Sequence, residues 1–392
     1  MPIATAVFPA LKAAVLVPVV GGSVFSLLCL WAARRVTARK STSSGCFTPL
    51  VTILKPVYGL DRELEENLRS FCTQDYPDYQ VVMSLQRTDD PARPILERLA
   101  GEYPDRVTLS IKDSEPVLNG KIQSLVIGME AARHDVLVIS DSDTRVSREY
   151  LRTIVAPLAD PATGYVCTLY RIVAARNLAE RLELLTMNAD FVPSLLFTYW
   201  SKAAVFCLGA SVAVRRADLE AVGGMASLAE YLVEDQEMGR RLTVAGKPMR
   251  LAPTTADMFP DYATVKDWYR HVVYWDQNTR AANRAGFAAT VLIRAIPFSL
   301  IFAALTGFSG AGLVVLAVAV SIRLAAAGGI AAVLGDAALP KVLWLLPLRD
   351  VMGFGSWAMA LRKRSFTWRG HEFQLTREGR IVPRRSAREG TA

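Results

Sequence analysis

The chain has 392 residues, of which 52% are hydrophobic and only 21% charged, with a formal net charge of +8. That balance is too apolar for an ordinary soluble protein and predicts membrane segments beside one or two folded domains. The positive charge does not signal nucleic acid, because no basic, aromatic-interleaved recognition motif occurs. Basic residues cluster beside apolar runs instead (Arg34-Arg35, Arg39-Lys40, Arg362-Lys363-Arg364, Arg384-Arg385), as suits an anionic membrane surface.

Residues 13–33 carry no charge over twenty-one positions, enough to cross a bilayer core of about 30 Å. A cleaved signal peptide would have a shorter apolar core and a small-residue cleavage site, which is missing before the basic stretch. The basic residues after Ala33 place that end in the cytoplasm by the positive-inside rule. Residues 1–46 therefore read as an N-terminal transmembrane anchor and linker, with the next domain on the cytoplasmic face of the inner membrane.

Residues 47–262 read as an α/β domain, a mostly parallel sheet wound with helices. Strands are expected at 50–54, 79–85, 107–111, 136–140, 165–170 and 212–214. Helices are expected at 60–73 (Leu60, Leu64, Leu68 and Phe71 on one face), at 91–103, around Ile122 to Met129, at 150–158 and from Val233 to Ala245. No Gly-x-Gly-x-x-Gly follows the first strand and no Gly-Lys-Ser/Thr loop occurs, which argues against dinucleotide and P-loop enzymes. The five cysteines (Cys29, Cys46, Cys72, Cys167, Cys207) are scattered without metal-ligand spacing and read as reduced and structural.

The fourth strand runs into Asp141-Ser142-Asp143, at the carboxyl end of the sheet where open α/β folds bind ligands. Two hard oxygen ligands beside a phosphate-bearing substrate suit Mg2+ or Mn2+. Alone, the tripeptide reads equally well as a solvated turn. Glu234-Asp235, at the start of a helix, reads alone as a pair of dipole partners.

Residues 191–200 are strongly apolar and aromatic but interrupted by Pro193, and read as an interfacial segment. Residues 263–294 form a second interfacial, amphipathic segment, with His271 and Trp275 on one helical face. Residues 295–361 hold transmembrane helices. Arg349-Asp350 falls inside one, where ionisable groups are costly and mutual pairing is expected. Residues 362–392 form a basic cytoplasmic tail, which favours an even number of spans after Ala295. The tail alternates like a hairpin, with its turn at Arg377-Glu378-Gly379.

Taken together, Leu54-Lys-Pro56, Asn67-Leu-x-Ser-Phe71, Gln74-Asp-Tyr-Pro77, Asp89-Asp-Pro-Ala92, Asn119-Gly-Lys121, Asp141-Ser-Asp-Thr-Arg-Val146, Gly223-Gly224, Glu234-Asp235 and Pro347-Leu-Arg-Asp350 resemble the ceramide glucosyltransferase family. These are membrane members of the inverting GT-A glycosyltransferases, and a related branch acts in hopanoid biosynthesis. The resemblance implies a GT-A-type fold with one N-terminal and two or three C-terminal transmembrane helices. It implies that Asp90, with Asp89, holds the uridine end of a UDP-sugar and that Lys121 lies near its phosphates. It further implies that Asp141 and Asp143 bind Mg2+ or Mn2+ on the diphosphate, with Asp141 also counted among the donor contacts, and that Asp235 is the general base.

The family's Arg/Gln-x-x-Arg-Trp reads His271-Val-Val-Tyr274-Trp275 here. A phenol that donates a hydrogen bond and a part-time imidazolium replace two polar or cationic groups on the donor's phosphate side. Arg270 and Arg280 are candidate substitutes for the charge. The expected partners are thus a UDP-sugar, a membrane lipid acceptor (ceramide, diacylglycerol or a hopanoid) and the membrane, with no nucleic acid. A processive polysaccharide synthase and a catalytically inactive nucleotide-sugar-binding scaffold are the competing readings.

Overall fold

The computed structural model describes residues 2–38, 47–114, 118–203 and 207–362, with the backbone alone at 2–8, 365–368, 371–375 and 381–383. Cys46, Arg39-Lys40, Lys363-Arg364, Arg384-Arg385 and the turn at Arg377-Glu378-Gly379 lie outside the described residues. In chain order the elements are α1 (Pro2–Thr37), β1 (Val51–Pro56), α2 (Leu64–Cys72), β2 (Tyr79–Leu85), α3 (Arg93–Glu102), β3 (Val107–Ile111), α4 (Gly120–Ala131), β4 (Val136–Ser140) and β5 (Thr144–Arg145). There follow α5 (Tyr150–Val155), β6 (Tyr165–Ile172), α6 (Leu178–Leu184), a π-helical turn (Leu185–Phe191), α7 (Val192–Trp200), β7 (Ser211–Arg215), α8 (Arg216–Ala221), α9 (Glu234–Val244) and β8 (Met249–Met258). The remainder is α10 (Val265–Ala282), α11 (Arg284–Ala289), α12 (Ala295–Leu305), α13 (Gly310–Leu334), α14 (Leu346–Arg362) and three short strands, β9 (Ser365–Trp368), β10 (His371–Leu375) and β11 (Ile381–Pro383). They form two compact units, one of residues 40–172, 204–261 and 373–392, the other of 1–39, 173–203 and 262–372.

The first unit is built on an eight-stranded sheet of order β3-β2-β1-β4-β7-β6-β8-β5. Strands β1 to β4 pair in parallel, as their crossover helices require. β7 then runs antiparallel to both β4 and β6, and β6 pairs in parallel with β8. β1, β2 and β4 are buried along their whole length, which explains why they read as unbroken apolar runs. On one face α2 packs Leu64, Leu68 and Phe71, and α3 packs Leu96 and Leu99, into a core with Ile53, Val81 and Val138. β1 and β4 stay in register through Leu54 opposite Ile139, so Lys55 and Ser140 reach the carboxyl edge together.

β8 is the longest strand that the sequence reading missed. It spells Met-Arg-Leu-Ala-Pro-Thr-Thr-Ala-Asp-Met, with a proline and few apolar residues. Its pairing to β6 slips between Cys167 opposite Leu251 and Leu169 opposite Thr255, and Pro253 falls inside that irregularity, where no ladder hydrogen bond is asked of it.

The second unit is helical. Stretches Pro9–Thr37 of α1 and Gly310–Leu334 of α13 are long and apolar enough to cross a membrane. Arg284–Ile293 with Ala295–Leu305, bent by 52°, makes a third if the pair counts as one span, and only then are there two C-terminal spans. α1 packs Val19 against Ala295 and Ala319. Gly21 and Gly22 let α1 approach the backbone of residues 292–295 so closely that a Cβ at either would collide with it. The aromatic run expected at the interface becomes α7, entered through the π-helical turn. The Arg349–Asp350 pairing is present at 3.2 Å and widens into a network with Arg323 and Asp190. In the C-terminal tail β10 and β11 pair antiparallel, Phe373 opposite Pro383.

Candidate active site

Lys121 is the centre of the polar cluster at the carboxyl edge of the sheet. Asn119 caps α4 by accepting from Ile122 N at 3.2 Å, which sets Lys121 on the first turn. From there its Nζ reaches Asp141 Oδ1 at 2.7 Å, Glu234 Oε1 at 3.3 Å and the Gly209 carbonyl at 3.3 Å. Asn119 Nδ2 donates to the Tyr231 carbonyl at 3.0 Å and to Glu234 Oε2 at 3.1 Å, tying α4 to the start of α9 and the residues before it. Glu234 is thus committed to Lys121 and Asn119.

Asp235 stands beside this ion pair. Its two oxygens accept from Gly209 N at 2.9 Å and from its neighbour Gln236 N at 2.7 Å. Gly209 is a glycine for a local reason, since a Cβ there would sit 2.7 Å from Asp235 Oδ2. Ile139, Val212, Met225, Leu228 and Met238 form an apolar wall around the Lys121 and Asp235 side chains. Burial against that wall, then the charge of Glu234, raises the Asp235 carboxyl to about 6, against the pull of Lys121 and the two backbone N–H groups. Burial alone would lower the Lys121 pKa; the charges of Asp141, Glu234 and Asp235 outweigh it, so Lys121 stays a firm cation.

Asp143 lies at the same edge. Burial and the charge of Asp141 raise its carboxyl to about 7, opposed by Lys55 and Lys121. Its Oδ1 is buried without a hydrogen-bond partner among the described residues. An acceptor left bare in this way suits a cation ligand. No group of three or more His, Cys, Asp or Glu side chains gathers to form a cage among the described residues. Two carboxylates with open positions fit Mg2+ or Mn2+, which take one or two protein carboxylates and complete their shell with water and phosphate oxygens.

The residues implied for the uridine end divide. Asp90 is buried and structural in its contacts: Gly59 N donates to both its oxygens at 3.1 Å, and Ala92 N to Oδ1 at 2.8 Å. Asp89 is exposed and paired with Arg87 at 2.7 Å. His271, Tyr274 and Trp275 belong to the helical unit, on α10. There the His271 ring lies 5.2 Å from Tyr262 and 5.3 Å from Trp275, and its Nε2 is 3.5 Å from Glu183 Oε1. Of the proposed substitute cations, Arg270 is exposed near Asp267 and Arg280 donates to the Leu361 carbonyl at 2.9 Å.

Sequence reasoning missed Lys55. It is fully buried, 3.7 Å above the Phe71 ring, with its Nζ on the Asp141 carbonyl and 3.3 Å from Thr144 Oγ1. Burial lowers its pKa to about 7 despite Asp141 and Asp143. The available signal was a lysine still inside an apolar strand, just before Pro56.

The profile of glycosyl transferase family 21 matches residues 14–381. Ceramide glucosyltransferase 1 of Caenorhabditis elegans is 24% identical over 242 residues, covering 58% of this chain and 49% of that protein. A ceramide glucosyltransferase of Komagataella phaffii is 34% identical over 101 residues, covering 24% of this chain and 20% of the relative. The chain thus matches about half the length, or less, of these curated relatives. Among solved structures, a mannosyltransferase from Pyrobaculum calidifontis in complex with GDP-Man and Mn2+ is similar in fold, with TM-score 0.54 and 18% identity over 90% of this chain and 99% of that one.

Proposed function

This chain belongs to glycosyl transferase family 21, and from that premise we propose that it moves a glucose-type sugar from a UDP-sugar to the hydroxyl of a membrane lipid such as ceramide, with inversion at the anomeric carbon. The observation that carries the reading is the convergence of Asp141, Glu234 and Asp235 on one recessed lysine, Lys121, at the carboxyl edge of a parallel sheet.

Asp235 is assigned as the base. In a single displacement the lipid oxygen bonds to the anomeric carbon as the carbon–oxygen bond to the diphosphate breaks. The hydroxyl proton passes to an Asp235 oxygen and the leaving nucleoside diphosphate takes the electron pair. A carboxyl raised to about 6 is a stronger base than an ordinary aspartate and is still ionised at neutral pH. Lys121 is assigned to the phosphates, and its charge lies where negative charge grows on the leaving group. Asp141 and Asp143 would hold Mg2+ or Mn2+, whose Lewis acidity neutralises that same charge. The Pyrobaculum mannosyltransferase, solved with Mn2+, supports the same class of cation.

Asp89 and Asp90 are assigned to the uridine end, Asp90 by shaping the Gly59 loop. His271, Tyr274 and Trp275 are assigned to the donor's phosphate side. Residues 47–262 form the catalytic domain in this reading, on the cytoplasmic face of the inner membrane, anchored by α1 and the C-terminal helices. The basic Arg34 and Arg35 in the last turn of α1 support that orientation.

The test is purified protein with UDP-glucose, Mn2+ and ceramide in detergent. UDP release and a singly glycosylated lipid by mass spectrometry are expected. A polymer in place of one added sugar, or donor binding without any lipid product, would overturn the assignment.

A further inference from the structure

A cavity of about 140 Å³ lies inside the helical unit, between α1, the π-helical turn, residues 290–297, α13 and α14. One side is apolar, with Phe25, Ile296 and Ile330. The other carries Asp190, Arg294, Arg323, Arg349 and Asp350. Ionisable groups packed among membrane helices are costly and persist where they are paired or bind something.

Two of the three guanidinium groups are satisfied within the protein. Arg349 meets Asp190 Oδ2 at 2.7 Å, Asp350 Oδ1 at 3.2 Å and Thr186 Oγ1 at 3.2 Å. Arg323 meets Asp350 Oδ2 at 2.9 Å and the Ala189 carbonyl at 2.9 Å. Arg294 differs. Among the described residues its hydrogen bond is to the Gly353 carbonyl at 3.2 Å, and its Nε is buried with no partner. The other carboxylate of the neighbourhood, Asp276, accepts instead from Ser356 Oγ at 2.6 Å. The cavity is therefore lined by a cation whose donor capacity the protein leaves open.

The missing partner is a hydrogen-bond acceptor, since Asp190, Asp276 and Asp350 act on the Arg294 charge without bonding its Nε, and a phosphate oxygen is a strong one. About 140 Å³ equals the share of roughly four or five water molecules, enough for a phosphate and its first carbons. Val20, Val24 and Leu28 form an exposed apolar stripe at four-residue spacing on the same helix as Phe25, a surface for hydrocarbon chains on a helix long enough to span a membrane. We propose that the cavity seats the phosphate of one anionic phospholipid on Arg294, with its chains lying along α1. The proposal does not rest on the sugar-transfer reading.

The full-length protein, delipidated in non-ionic detergent, is titrated with phosphatidylglycerol, phosphatidylcholine or inorganic phosphate and followed by native mass spectrometry and thermal unfolding. One phosphatidylglycerol per chain is expected, raising the unfolding temperature by about 5 °C at saturation. Arg294→Gln should weaken that binding by about tenfold or more, because a charge-assisted hydrogen bond is lost. Ile330→Phe, which keeps every charge and fills the cavity, should do the same and decides the matter if Arg294→Gln does not fold. Equal stabilisation by phosphatidylcholine, a full shift from inorganic phosphate alone, or unchanged lipid retention in Ile330→Phe would overturn the proposal.

Discussion

Asp235→Asn separates the catalytic claim from the folding one, because turnover should collapse while stability hardly changes. A general base contributes about 10²- to 10⁴-fold to rate, so kcat for lipid glucosylation should fall at least about a hundredfold. Stability moves otherwise. The Asp235 carboxyl is raised from 3.8 to about 6 by burial first and by Glu234 second, with Lys121 and the N–H groups of Gly209 and Gln236 opposing. The folded state therefore holds this proton more tightly than the unfolded chain. Its contribution is full below about pH 4 and is lost as pH rises through 6, leaving the ionised carboxylate a cost of up to about 3 kcal/mol at pH 7. Asparagine removes that cost. Its amide also turns one donor towards a backbone N–H, since both carboxylate oxygens now accept from one, which costs about 1–3 kcal/mol. The two nearly cancel, so the unfolding temperature at pH 7.5 should hardly move while turnover collapses. In the wild type, kcat/KM should fall below pH 6 along a limb set by Asp235. The assay is UDP release against pH with thermal unfolding on the same samples. Turnover within fivefold of wild type would remove Asp235 as the base, and an acidic limb near pH 4 would refute the burial argument.

Substitutions at three further positions probe the same edge of the sheet. Lys55→Ala empties a fully buried position and abandons the Asp141 carbonyl and Thr144 Oγ1; a loss of about 3–5 kcal/mol is expected in denaturant unfolding, with Lys55→Met recovering part of it. Gly209→Ala pushes a methyl to 2.7 Å from Asp235 Oδ2, and should lower kcat about ten- to a hundredfold with a stability change near 1 kcal/mol. Lys121→Met leaves Asp141, Glu234 and Asp235 without their common counter-charge; it should destabilise by about 3–5 kcal/mol and move the acidic limb of the kcat/KM profile above pH 6, because Lys121 now pulls the Asp235 pKa down.

How much of this was legible depends on where each residue's partners lie. β2 and β4 have the bounds their apolar runs imply, because strands buried along their whole length need no other signal, and the partly buried edge strand β3 keeps its expected bounds as well. β8 was hidden, since its pairing rests on β6 and its proline sits in a register slip. Asp141 alone reads equally well as a turn residue and Asp235 alone as a dipole partner, so these two and Lys121 are named together through the family resemblance, and the fold does bring them together. Gly209 could not be found this way, because its reason for being glycine is a carboxylate twenty-six residues later. Arg294 goes unremarked in the sequence, and only tertiary packing makes it part of the wall of a cavity.

The charge balance at the sheet edge limits how the donor enters. Asp61, Asp141, Asp143, Glu234 and Asp235 are five carboxylates against two ammonium groups, Lys55 and Lys121. Lys121 is already shared among three of the carboxylates, and Lys55 is buried beneath. A diphosphate arriving alone would add negative charge to an excess of it, and each like pair at 4 Å costs about 4 kcal/mol at an effective dielectric of 20. A divalent cation on Asp141 and Asp143 cancels that excess, so donor and cation should bind with strong positive coupling. Linkage makes the coupling reciprocal. UDP-glucose affinity measured by calorimetry should fall at least about a hundredfold when EDTA replaces Mn2+, and Mn2+ affinity should rise by the same factor when UDP-glucose is present. Asp143→Asn, with one negative charge fewer, should bind Mn2+ more weakly yet lose less donor affinity on chelation than the wild type does. Donor affinity indifferent to the cation in both proteins would refute the assignment of Asp141 and Asp143.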